Sequence, residues 1–314
     1  MKMNYEELLY ELVKSDERII ILTAENRAAI RNLPGKLENH FIDVGIAEQT
    51  MIGMASGLAL RGRIPIVHAL SAFLTMRAFE FIRTDVGIGN LPVILVGSFS
   101  GFLSEANGAT HQAIEDVSLM RGIPNVNVFC PADEEELNLG IKEIIKTQSP
   151  CYVRYNSTTP LITHENFRLG KAEVVGDGCD VALLVYGVLF NQALMAIEQL
   201  ENAGIRTRLI NLRTLKPVDE IELLKAADEC ELIVTLEDHF ITGGLFSILS
   251  EILIKNQKTA NVFPIAFNNK WFKPALFDDA LNYEGFSANK IYNKIKQTFN
   301  KKNKEKNYAE WNKV

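Results

Sequence analysis

Residues 45–67 read GIAEQTMIGMASGLALRGRIPIV, and a single acid, Glu48, opens a segment that from Met51 to Leu60 holds only apolar, small or glycine residues and one serine. Gly53 and Gly57 recur four apart, which lets another backbone come close. A helix apolar nearly all round belongs in a core or an interface. A carboxylate at its mouth is an N-terminal cap, since acids favour the first turn, or one half of an ion pair, or a group held for chemistry. Three other stretches carry candidate chemistry. SAFLTMRAFEFIRTD (71–85) crowds Phe73, Arg77, Phe79, Phe81 and Arg83 into one helical run after a strand, a spacing at which aromatic residues more often fill a core than touch a cofactor. NGATHQAIED (107–116) reads as a loop running into a helix led by Glu115 and Asp116, with His111 where open α/β sheets place ligands. EDHFITGGL (237–245) sets Glu237, Asp238 and His239 after a buried strand, and reads equally as a capped turn at a domain or subunit interface.

The period of the apolar residues defines the elements that must position these groups. RIIIL (18–22), IPIVHAL (64–70), LPVILVG (91–97), NVNVFCP (125–131) and CYVRY (151–155) are short β-rich runs, separated by helical patterns near 49–61, 72–87, 113–121 and 133–147. Such alternation specifies a parallel sheet covered by helices on both faces. A second set starts near Lys171, with DVALLVYG (180–187), a helix through 192–204, IRTRLINLR (205–213), a helix near 218–229 and ELIVTLED (231–238). The expected architecture is α/β with two domains, 1–160 and 171–298, each a mainly parallel sheet with helices on both faces. The polar stretch 156–170 connects them. Residues 299–314 are charged and lack an apolar period, so a flexible tail is expected there. GDG at 176–178 has the form of a turn that places an aspartate on a cofactor's metal, but a partly polar strand enters it and an apolar strand leaves it. It reads as a tight reversal with glycine supplying the turn geometry.

The chain has 314 residues and a net charge of −6, with 47% hydrophobic and 23% charged residues, the profile of an ordinary soluble globular protein. The acidic balance argues against nucleic acid or an anionic membrane surface as the main partner. No apolar run reaches membrane-spanning length, and the amphipathic, acidic start is neither a signal nor a transit peptide. Cys130, Cys151, Cys179 and Cys230 show no close pairing or metal spacing, so packed thiols in a reducing cytoplasm are expected.

Taken in order, GIAEQ, SAFLTMRAFE, NLPV, GATHQAIED, RGIPNVNVFCPADEEEL, NLRTLKPVD and EDHFITGGL resemble the transketolase family over nearly the whole chain. THQ-x-x-ED followed by IPN and PAD favours transketolase over the β-subunits of 2-oxoacid dehydrogenase E1 components. The ED also favours it over deoxyxylulose-phosphate synthase, which shares GIAEQ and THQ. The resemblance implies a pyrimidine-binding domain and a transketolase C-terminal domain, thiamine diphosphate with Mg²⁺ as cofactors, and transfer of a two-carbon ketol unit from a ketose donor to an aldose or modified-sugar acceptor. It implies that Glu48 hydrogen-bonds N1′ of the aminopyrimidine, favouring the imino tautomer whose 4′-nitrogen removes the thiazolium C2 proton. It further implies that Phe73 stacks on that ring, that Arg77 and Phe79 lie at the cofactor, and that His111 faces the substrate's reacting hydroxyls. A full transketolase begins with a diphosphate-binding domain for which this chain has no room. The expectation is therefore one subunit of a split enzyme, inactive alone. Its companion would be an N-terminal subunit that holds Mg²⁺ and the diphosphate, in an α2β2 assembly.

The substrate-reading positions depart from the family pattern. Asn107 stands where an Asp is usual, Phe99 where a His or Arg is offered, and Asn156, Ser157 and Thr158 where an arginine usually binds substrate phosphate. Losing charged phosphate contacts removes strong hydrogen bonds. The expected substrate is thus a modified sugar, unphosphorylated or nucleotide-linked, read by Phe99, Asn107, His111 and Ser157. The alternatives are E1-type decarboxylation of a 2-oxoacid, acyloin formation of the deoxyxylulose-phosphate-synthase type, and a cofactor-free scaffold, against which Glu48 and Phe73 argue.

Overall fold

The computed structural model describes residues 3–25 and 29–311. Six strands of the first half, β1 (Ile19–Thr23), β2 (Phe41–Asp43), β3 (Ile64–Leu70), β4 (Ile94–Ser98), β5 (Asn127–Phe129) and β6 (Cys151–Arg154), pair in parallel in the order β5-β6-β4-β3-β1-β2. Their side chains sort by the two-residue period of a strand. Ile19 and Ile21 pack with Leu8 and Leu9 of α1 (Tyr5–Ser15) on one face, whereas Ile20 and Leu22 pack with Met51 and Ile52 of α2 (Glu48–Leu60) on the other. The second face also takes Val117 and Met120 of α3 (Asp116–Arg121), and the first takes Leu137 and Ile141 of α4 (Glu134–Thr147). Burial on both faces is why these strands read as continuous apolar runs. Capping fixes the helix starts: Asn4 and Glu7 form a capping box on α1, and Asp133 accepts from the Glu136 amide at the start of α4.

The second sheet has β7 (Glu173–Val175), β8 (Val181–Val185), β9 (Thr207–Asn211), β11 (Leu232–Phe240) and β12 (Val262–Phe267), in the order β12-β11-β8-β9-β7. It is parallel except for β7 against β9. Val181, Leu183 and Val185 face α5 (Phe190–Asn202) and the final helix α9 (Ala288–Trp311), while Ala182 and Leu184 face α6 (Glu220–Glu229) and α7 (Leu245–Lys255). A short α8 (Phe277–Glu284) precedes α9. Both domains are α/β with helices on both faces of a mainly parallel sheet.

Four features differ from the sequence reading. Strand β10 (Thr214–Lys216), from the second half, adds antiparallel to β5 and covers the edge of the first sheet. The run 72–87 is helical but wound wide, with π-helical turns over Phe73–Arg77 and Ile82–Gly87, a geometry that recurs at functional sites. The chain does reverse at GDG, yet β7 pairs with β9 rather than with β8, so the reversal is a crossing and not a hairpin. Residues expected as a flexible tail continue α9 to Trp311, in keeping with the helix propensity of a lysine- and glutamate-rich stretch. Residues 312–314 of that tail lie outside the described residues. No helix among the described residues is long and apolar enough to cross a membrane. The four cysteines are free, and burial pushes the thiols of Cys130 and Cys151 up.

Candidate active site

Strands β2, β3, β4 and β6 end shortly before Glu48, Phe73, Phe99 and Ser157, so the candidate residues gather at the C-terminal edge of the first sheet, where open α/β folds bind ligands. Glu48 is the first residue of α2 and is 3% exposed. It does not cap the helix, because Ala47 holds the cap position without a side-chain bond. It is an ion pair instead: Arg77 Nη1 donates to Glu48 Oε2 at 2.9 Å, and Arg77 itself is 43% exposed. Glu48 Oε1 takes no donor from the described residues.

Arg77 also links Glu48 to the aromatic group. Its guanidinium carbon lies 4.2 Å from the Phe73 ring centroid, and Gln49 Nε2 donates to the Arg77 carbonyl at 3.2 Å. The wide turn from Phe73 to Arg77 accounts for this arrangement, bringing the guanidinium over the ring four positions before it. Phe73 also meets His111 edge-on, with centroids 5.1 Å apart. His111 Nδ1 is 2.9 Å from Thr110 Oγ1. The structure thus brings Glu48, Arg77, Phe73 and His111 together. Phe79 is not part of that chain of contacts; it is half-buried against the apolar core under the first sheet.

The other expected residues divide into two groups. Phe99 and Ser157 face one cleft of about 280 Å³, together with Leu103, Tyr155 and Thr158. Asn107 is exposed and spends its amide on the Ser104 carbonyl at 2.8 Å, closing the turn before the histidine loop. Asn156 is buried and structural: its amide donates to the carbonyls of Pro131 and Ala132, and its oxygen accepts from the Thr158 amide.

The loop that carries His111 is braced by Asp116 and Asp238, both named in the sequence reading, through Arg154 and Tyr152, which were not. Arg154 is 3% exposed and donates to Asp116 (Nε–Oδ2, 2.8 Å), to Asp238 (Nη1–Oδ1, 2.6 Å) and to the Ala113 carbonyl (3.2 Å). Tyr152 Oη donates to the same Asp116 at 2.6 Å. Asp238 also accepts from the Phe102 amide at 3.3 Å, which requires Gly101: a Cβ there would lie 1.6 Å from Asp238 Oδ2. Gln112 donates to the Phe272 carbonyl at 2.8 Å. The second domain therefore holds the histidine loop at two points. Asp116 was visible as part of the THQ-x-x-ED string, and Arg154 as the charged residue inside the apolar run CYVRY.

EDHFITGGL forms the capped turn. Glu237 accepts from the amides of Leu245 and Phe246 at the start of α7, and burial pushes its carboxyl up to about 8. Burial pulls His239 down to about 4; its Nε2 accepts from the Ser118 amide and its Nδ1 donates to the Phe240 carbonyl. Among the described residues, one group of ligand types lies within 4.8 Å, namely Glu136, His164 and Glu173. It is closed already, since Arg213 pairs with both glutamates and Asp133 takes the remaining His164 nitrogen.

An aminopyrimidine fits the first group. A buried carboxylate with one oxygen open stands beside an aromatic ring at a strand end, as a ring that both stacks and donates a hydrogen bond requires.

Comparison with known proteins recovers both domains. Residues 1–159 match the transketolase pyrimidine-binding domain and residues 170–291 the transketolase C-terminal domain. The chain is 37% identical over 261 residues to a 6-deoxy-6-sulfo-D-fructose transketolase subunit of Clostridium sp. (strain MSTE9), covering 82% of this chain and 81% of the relative. It is 33% identical over 308 residues to a protein of Methanocaldococcus jannaschii described as a transketolase C-terminal section, covering 96% of each. It is also 33% identical over 300 residues to a 1-deoxy-D-xylulose-5-phosphate synthase of Synechococcus sp. (strain JA-2-3B'a(2-13)), of which it spans about half, 46%, and 93% of itself. Among solved structures it is similar to a split-gene transketolase described as an inactive β4 tetramer, with a TM-score of 0.85, 30% identity and coverage of 94% and 97% of the two chains. With its two domains matched in order over most of its length, the chain belongs to the transketolase family.

Proposed function

We propose that this chain is the C-terminal subunit of a two-chain transketolase that moves a two-carbon ketol unit from a ketose to an aldose or modified sugar. The observation that carries the proposal is the Glu48 carboxylate, buried with Oε1 open beside Phe73 and His111. Thiamine diphosphate, when bound, supplies the carbon nucleophile and the electron sink that a C–C bond cleavage next to a carbonyl needs. Glu48 would hold the aminopyrimidine N1′ and share its proton. Phe73 would support the ring face, with Arg77 and Phe79 at its margin. Arg77 must then yield part of its contact with Phe73. His111 would face the reacting hydroxyls, held by Thr110 on one side and by the Arg154–Ala113 and Gln112–Phe272 contacts behind. Phe99, Asn107 and Ser157 would read the rest of the sugar.

The partner in this reading is an N-terminal subunit that binds the diphosphate and Mg²⁺, in a cytoplasmic α2β2 assembly. Relatives of the chain's own length, described as a transketolase subunit and a C-terminal section, support it. The test is reconstitution. The purified chain alone should show no ketol transfer and weak thiamine diphosphate binding by equilibrium dialysis, and addition of the N-terminal subunit should restore both. Ketol transfer by the single chain would overturn the split arrangement. A second reading, acyloin formation from a 2-oxoacid, draws on the similarity to 1-deoxy-D-xylulose-5-phosphate synthase. Pyruvate consumption by the assembled enzyme without ketose cleavage would select it.

A further inference from the structure

We infer that the cleft between the ends of β4 and β6 is a subsite for the uncharged, hydroxylated end of a sugar, and that Glu105 is its specificity-determining residue. This rests on the ketol-transfer reading and deepens it. Glu105 lines the cleft together with Ser157 and Tyr155, and no lysine, arginine or histidine stands among the described lining residues. Its carboxylate makes no hydrogen bond or ion pair with a described residue.

The backbone points the same way. Phe99 has φ +59°, and Glu105 has φ +47° with ψ −126°, a combination natural to glycine and strained for other residues. Two strained non-glycine residues on the rim of one cleft are the pattern expected where a side chain must be aimed at a ligand. The donor and acceptor inventory then names the ligand class. A sugar hydroxyl donates as well as accepts, so it satisfies the Glu105 carboxylate. A phosphate or sulfonate has three acceptor oxygens and little or no proton to offer at neutral pH. It would set its charge against the carboxylate with no cation in the cleft to offset it. Phe99 and Leu103 provide apolar surface for the C–H edges of the sugar.

The test uses the enzyme assembled with its N-terminal subunit, one fixed aldose acceptor, and three ketoses that differ only at C6: D-fructose, D-fructose 6-phosphate and 6-deoxy-6-sulfo-D-fructose. The unmodified enzyme should show the highest kcat/KM with D-fructose. Glu105→Gln should lower that value about tenfold and raise the ratio of phosphorylated to unphosphorylated ketose by about tenfold or more. Glu105→Lys should reverse the preference. A charged ketose preferred by the unmodified enzyme, or a ratio unmoved in Glu105→Gln, would overturn the role of Glu105 while leaving ketol transfer in place. Absence of transfer from all three and from hydroxypyruvate would overturn the underlying reaction, and this subsite with it.

Discussion

Arg77 donates to the Glu48 carboxylate at 2.9 Å, joining the start of α2 to a helical turn 29 residues later. The pair is half in water, because Arg77 is 43% exposed, so it contributes at most about 1 kcal/mol to the fold. A carboxylate buried at that small return is better accounted for by what it does. Glu48→Gln keeps the volume and an acceptor for Arg77, and the melting temperature should hardly move. Exchange of the thiamine C2 proton in the assembled enzyme, followed by NMR, should slow by about 100-fold or more, since an amide cannot share the N1′ proton. Unchanged exchange would reduce Glu48 to a structural ion pair.

Among the described residues, Arg154 is the only cation paired with both Asp116 and Asp238, and both acids are fully buried. Replacing it with Met leaves two carboxylates without their counter-charge, at a cost of about 3–5 kcal/mol. The loss should be read as a lower urea midpoint with an unchanged slope. It should be smaller at pH 5.5 than at pH 8, because burial already raises the pKa of Asp238, which can take up a proton once unpaired. A change under about 1 kcal/mol at both pH values would show that the two domains do not depend on this link.

The strands and their neighbours were legible because apolar runs of five to seven residues in β1, β3, β4, β8 and β11 leave little choice of element. Glu48 and Phe73 were legible because an acid and an aromatic stand out at element starts. What the sequence hid is long-range. Nothing local marks β10 as the edge of the other domain's sheet, and Arg154 reads as one charge in a strand until Asp238, 84 positions away, meets it. The same holds for His164, which lay inside a stretch read as a connection. Its partners Asp133 and Glu173 come from α4's cap and from β7. Glu105 was missed for another reason: its distinction is a backbone conformation, which residue type does not report.

His164 gives a pH signature. Burial alone would push its pKa down, but hydrogen bonds to Asp133 and Glu173 and the charge of Glu136 overcome it and hold it at about 10, with Arg213 the cation paired with both glutamates. A base raised above its unfolded value of about 6.5 contributes stability in full below pH 6.5 and loses it as pH rises toward 10. The stability gap between the unmodified chain and His164→Gln should therefore be widest at pH 6 and narrow steadily to pH 9.5. Chemical denaturation across that range checks it, and a constant gap would mean that His164 is neutral in the fold. Glu237, raised to about 8 by burial, lowers the stability of both proteins alike as pH rises from its unfolded value to 8, so it leaves the gap between them unchanged.

Ser157 and Glu105 line the same cleft, and that decides what an arginine at position 157 would do. Alone, Ser157→Arg brings a cation to a cleft whose described lining holds none, but the Glu105 carboxylate lines the same cleft and has no other partner among the described residues. An arginine pairs readily with a carboxylate in two parallel hydrogen bonds. Much of its charge would be spent there, and the gain in kcat/KM for D-fructose 6-phosphate should stay within about fivefold. Glu105→Gln frees it. The double variant should exceed the product of the two single effects by about threefold or more, the coupling expected of residues in contact. Specificity constants for the phosphorylated and unphosphorylated ketose, measured on all four enzymes, give that coupling directly. Effects that simply multiply would mean that residues 105 and 157 do not share one subsite. A large gain from Ser157→Arg alone would mean that Glu105 faces away from the sugar.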